Sequence, residues 1–195
     1  MKQVVTLIRT GFLKRLESST PAFEASCQNL FIRLLAFIER HAAGDADKRR
    51  LKQWKDRYAD LLQHIAAARA TWQTDEDDAG EDLVSSEMLE AEEALNDAIY
   101  DVAAIVIETY EDLTQLAHLL GALRGFTPAH DGKLAALVKL LQSDPVLRTH
   151  KVLILTEFTV TARHVCKQLE RAGLSGVAHV DSGAAPISTG HVAQP

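Results

Sequence analysis

Along most of this chain apolar side chains return every three or four residues, and that spacing predicts helices. Val5, Ile8, Phe12 and Leu16 form the stripe of a first amphipathic helix that stops near Ser18 and Ser19. Thr20 is suited to cap a second helix, with Pro21 in its first turn, where a missing N–H costs nothing. Phe23, Cys27, Leu30, Leu34 and Ile38 are its buried stripe, and Gly44 is placed to end it. A third helix, opened by Asp45 or Asp47, carries Leu51, Trp54, Tyr58, Leu61, Ile65 and Trp72 inward. The like charges of Asp75 to Asp82 then predict a solvated loop. After Ser85 and Ser86 a helical pattern runs through Leu89, Leu95, Ile99, Val102, Val106, Leu113, Leu116 and Leu120 to Arg124. Unbroken, it would be about 57 Å long at about 1.5 Å per residue, so a break near Ile107 to Tyr110 is expected.

At Gly125, Pro128 and Gly132 loop-forming residues interrupt the periodicity, which places a domain boundary there: an α-helical domain over 1–125 and a second part over 126–195. A short helix from Gly132 to Gln142 leads to Lys151-Val-Leu-Ile-Leu-Thr156, whose length and composition predict a buried parallel strand. Thr159 can cap a helix that turns Ala162, Val165, Cys166 and Leu169 inward and ends at Gly173, and Val177 to Asp181 reads as the next strand. Strand, helix and strand make one right-handed crossover. The fold class expected is therefore mainly α with a small α/β part, followed by a frayed tail from Gly183 to Pro195.

Composition changes this picture little. The 195 residues are 47% hydrophobic and 25% charged, as in ordinary globular proteins. Net charge is −6, so any contact with a polyanion must come from a local basic surface. The cluster Lys48, Arg49, Arg50, Lys52, Lys55 and Arg57 is read first as a solvated helix face and second as a DNA contact. Cys27 and Cys166 are too far apart for a zinc spacing, His164 and Cys166 diverge on one helix, and no His-Glu-x-x-His pair occurs; no metal site is expected. No targeting or membrane-spanning run is found, which suggests a cytoplasmic chain.

Phe12-Leu-Lys-Arg-Leu-Glu-Ser-Ser19 with Pro21-Ala-Phe23, then Asp131-Gly-Lys-Leu134 with Leu137, Leu140 and Leu141, then Lys151 to Phe158 with Thr161 and Ala162, and last Val180-Asp-Ser-Gly183, stand in one order. In that order they resemble the Swi/Snf branch of helicase superfamily two, especially its bacterial members. The resemblance implies an internal piece of an ATP-driven DNA translocase: the end of the first motor lobe, a helical insertion carrying the acidic loop, and the opening strand-helix-strand of a RecA-like second lobe. It implies ATP and Mg2+ for the parent protein and double-stranded DNA as its partner. This chain itself has no G-x-x-x-x-G-K-[ST] loop, no acidic box and no late arginine motif, so no ATP turnover and no cofactor are expected of it alone. Glu157 departs from the commonest form of the family.

On that resemblance Thr156, at the end of the predicted strand, is the first candidate for a DNA-phosphate contact, against the plainer reading of a threonine that caps the strand end. Lys133, Arg163, Lys14 and Arg15 are further candidates for the DNA backbone, against the plainer reading of solvated cations for Lys133 and Arg163 and of an ion pair with Glu17 or a neighbouring lobe for Lys14 and Arg15. Phe158, Thr161 and Asp131 are expected to orient the loop and helix around them. A rival from another class is a non-enzymatic helical module whose insertion docks a protein partner. The motor reading leans on the crossover: a chain without β structure removes that footing.

Overall fold

The computed structural model describes residues 2–42, 44–72 and 100–180. It is mainly helical: α1 (Lys2–Ser18), α2 (Thr20–His41), α3 (Asp45–Arg57), α4 (Ala59–Trp72), α5 (Val102–Leu123), a 3-10 turn (Pro128–His130), α6 (Gly132–Ser143) and α7 (Thr159–Arg171). The expected acidic loop 75–82, the expected helical stretch from Ser85 to Ile99 and the expected tail from Gly183 all involve residues outside the described ones. Among the described residues no helix is long and apolar enough to cross a membrane.

Two compact units divide the chain. The first comprises Met1–Phe12 and Glu24–Arg124, the second Leu13–Phe23 and Gly125–Pro195. Thus α1 and α2 each contribute to both.

In the first unit the stripe of α2 buries Cys27, Phe31 and Ile38 completely, Leu51, Trp54, Leu61 and Ile65 come from α3 and α4, and Leu113, Ala117 and Leu120 come from α5. Burial of such side chains contributes about 1.5–3 kcal/mol each before the entropy of ordering is set against it. Trp54 ties the elements together: its ring lies 5.8 Å from that of Phe31 and 4.6 Å from Tyr58, and its indole N–H donates to Thr114 Oγ1 at 3.1 Å. Arg124 donates to the carbonyl of Asp60 at 2.7 Å.

Several expectations are corrected here. The single helix expected from Asp45 to Trp72 is two, parted at Tyr58, where φ and ψ are −108° and 21°. No break falls between Ile107 and Tyr110; α5 runs through them and starts at Val102, where the Asp101 carboxylate accepts from the Ala104 N–H at 3.0 Å. Ser19, not Thr20, caps α2, its hydroxyl accepting from the Ala22 N–H at 3.2 Å. Gly44 is the cap residue of α3, and Leu16 is 45% exposed.

The largest correction concerns the α/β part. Neither Lys151–Thr156 nor the described part of the second expected strand, up to Val180, is a strand, and no strand occurs among the described residues. The physical reason is that β structure is made between segments: a run with the right composition has no ladder until a second extended segment offers its N–H and C=O groups. Within the described second unit none does. Helices close their own hydrogen bonds, and that is why α6 and α7 form where expected while the run between them stays open.

Candidate functional site

The second unit gathers segments that lie far apart in sequence. The α1–α2 junction meets the start of α7 through hydroxyls: Ser18 Oγ and Ser19 Oγ each lie 2.8 Å from Thr161 Oγ1, across 143 and 142 residues of chain. Ser19 and Thr161 are buried. Since the Ser19 hydroxyl accepts from the Ala22 N–H, its own proton is free to go to Thr161, whose proton can go to Ser18. In that sense of donation the Ser18 O–H ends the chain, 3.4 Å from Thr156 Oγ1. Beside the hydroxyls, Ala22, Phe158 and Val160 form a small apolar cluster.

Cations border this junction. The guanidinium of Arg15 lies 5.0 Å from the centre of the Phe158 ring, a cation–π contact. Lys14 reaches Glu157 at 4.0 Å with both side chains exposed, and Lys133 donates to the carbonyl of Glu17. Arg163 is half-buried on α7. Asp131 caps α6 by accepting from the Leu134 N–H at 3.0 Å, and its other oxygen lies 3.9 Å from His164 Nε2. That nitrogen is buried with no hydrogen-bond partner among the described residues. Burial holds the His164 pKa below its ordinary value, Asp131 pulls it back up, and Arg171 and Lys167 push it further down.

The eight residues singled out from the sequence, Lys14, Arg15, Asp131, Lys133, Thr156, Phe158, Thr161 and Arg163, therefore all belong to the second unit. Lys14, Glu157, Arg15 and Phe158 make one set of contacts, Lys133 joins the last turn of α1, and Asp131 faces His164 instead. Sequence reasoning gave Ser18 and Ser19 no role. The signal available was two adjacent hydroxyls where one helical stripe ends and another begins, a position that caps helices.

Two other concave surfaces occur. A cavity of about 640 Å³ in the second unit is lined by Pro128, Leu134, Val138, Gln142 and Arg171, among others, and Gln142 closes one side by donating to the Ala172 carbonyl at 3.1 Å. In the first unit a cavity of about 490 Å³ lies between α3 and α5, where Arg50 stacks 4.5 Å over the ring of Tyr110 and Arg57 lines the rim. Burial pushes the Tyr110 phenol above its ordinary pKa, with smaller and opposed effects of Arg50 and Asp47. The thiol of Cys27 is pushed up to about 12 by burial and then by Glu24, which keeps it protonated and unreactive. Among the described residues no group of three His, Cys, Asp or Glu is arranged to hold a metal ion.

Compared with protein-family models, curated proteins and solved structures, the chain matches none.

Proposed function

We propose that the chain is a piece of an ATP-dependent translocase of the Swi/Snf type, supplying interlobe helices and a DNA-facing segment but no complete ATPase site. The crossover no longer supports this reading, because no strand is formed among the described residues. What carries it is the junction: of the four segments that bear the resemblance, the first from Leu13 on and those at 131–141 and 151–162 fall in one compact unit, while Phe12 belongs to the other, and the first and third are joined by the hydroxyls of Ser18, Ser19 and Thr161. Ser18 and Thr156 then present hydroxyl donors to a phosphate, and Lys14, Arg15, Lys133 and Arg163 supply sequence-independent charge. In the parent protein 151–156 would be a strand of a RecA-like sheet. ATP and Mg2+ would be held by other parts of that parent, in a cytoplasmic location.

The test is duplex-DNA binding by this chain across salt concentrations, followed by fluorescence anisotropy. Affinity should fall as salt rises, and Lys14→Gln or Lys133→Gln should each flatten the slope of log K against log salt by about one phosphate contact, close to 0.9. No binding at low salt would instead favour a helical module that docks a protein partner, a reading that the mainly helical fold supports. The chain alone should show no ATP turnover.

A further inference from the structure

Residues 151–157 combine three features. Their exposures alternate, with Val152 at 43%, Leu153 at 83%, Ile154 at 42% and Leu155 at 84%, which is the period-two signature of an extended chain. None of the seven makes a backbone–backbone hydrogen bond among the described residues. And the run is bounded by opposite charges, Lys151 and Glu157. An extended apolar segment with free N–H and C=O groups is a template for another strand.

We infer that, where no parent sheet takes it up, 151–157 in this chain is an open strand edge that pairs antiparallel with the same segment of a second copy of this chain, centred on Ile154. In that register Lys151 of each copy stands opposite Glu157 of the other, Val152 opposite Thr156, and Leu153 opposite Leu155. Directly opposed residues share a face, so the two most exposed leucines of each copy lie together as cross-strand pairs. The alternatives are poorer. Parallel in-register pairing sets Lys151 on Lys151 and Glu157 on Glu157, and an antiparallel slip of one residue breaks both ion pairs and sets the more exposed face against the less exposed one. The contact of Glu157 with Lys14, at 4.0 Å between exposed side chains, is weak enough to yield. A seven-residue edge is small beside the roughly 800 Å² per partner of a standard interface, so the dimer is weak.

Such pairing is independent of any DNA contact, and its test contains no nucleic acid. Sedimentation velocity from dilute solution up to the solubility limit should show one copy giving way to two. Lys151→Glu and Glu157→Lys should each weaken association about tenfold, and the two together should restore it, because the exchanged charges face each other again. Leu153→Lys, at a solvent-exposed position, should leave the helical circular dichroism unchanged and abolish the dimer. Carbodiimide cross-linking of mixed 14N and 15N chains should yield a Lys151–Glu157 cross-link carrying one light and one heavy peptide. A monomer throughout the range would overturn the proposal. So would a dimer indifferent to Leu153→Lys, a double charge exchange that fails to restore pairing, or mixed-label cross-links that leave out this pair.

Discussion

Thr161 is where the two serines of the junction meet. It is buried, and its one hydroxyl serves both Ser18 and Ser19. Thr161→Val keeps the shape and removes the oxygen, leaving Ser19 buried with one partner fewer; urea unfolding followed on this unit should lose about 1–3 kcal/mol, and Thr161→Ser should recover most of it. His164 gives a pH dependence. Its folded imidazole binds a proton less readily than the unfolded one, whose value is near 6.5, because burial outweighs the attraction of Asp131. Below that value the unfolded chain takes up more protons, so stability is present above about pH 6.5 and lost as the pH falls toward the lowered folded value. Arg171 and Lys167 act in the same direction as burial. Thermal melts from pH 7.5 to 5 should show this slope, and His164→Gln should flatten it.

At the scale of elements, the second unit depends on how its helices begin and end. Asp131→Ala removes the cap of α6 and should cost about 1 kcal/mol, read by chemical denaturation; it also removes the carboxylate that raises the His164 pKa, so the acid loss of stability, still starting near pH 6.5, should become larger and extend to lower pH. α7 ends at Gly173, where φ is +83° and the Leu174 N–H reaches back to the Leu169 carbonyl at 3.1 Å. That ending was legible in advance, because glycine alone takes this conformation without strain. The stripes of α2 and α5 were legible in part: Cys27, Ile38, Leu113 and Leu120 are buried as expected, but Leu30, Leu34 and Leu116 are half-buried, and Phe31, Tyr110 and Ala117, which were not read as part of either stripe, are buried. The parting of α3 from α4 was not legible: Asp56 to Asp60 contains neither glycine nor proline, and nothing local marks it. The run Lys151 to Thr156 was misread for the opposite reason. Its composition states a preference for strand, but the ladder belongs to a pair of segments.

On the scale of the whole chain, periodicity located the change of character near Gly125, yet it could not show that 13–23 belongs with the carboxyl-terminal part. Bonds between Ser18 and Thr161, 143 residues apart, leave no trace in any local window. Lys14, Arg15 and Lys133, named from widely separated segments, all fall in the second unit. A direct consequence can be measured. Residues 125–195 expressed alone lack one side of the hydroxyl junction and should show reduced helicity, and a peptide covering 10–24 added in trans should raise it, followed by circular dichroism at 222 nm.

Synthesis from the amino terminus gives this discontinuity a temporal meaning. Ser18 and Ser19 leave the ribosome long before their partner Thr161 exists, and at about 5–20 residues per second the intervening chain takes about 7–30 s to make. For that interval the two hydroxyls have water in place of Thr161 and the apolar face of Ala22 lacks Phe158 and Val160, while α2, α3 and α4 have already been synthesised. Whatever shields a nascent chain would find its substrate here, at the α1–α2 junction, and would be released by the arrival of α7.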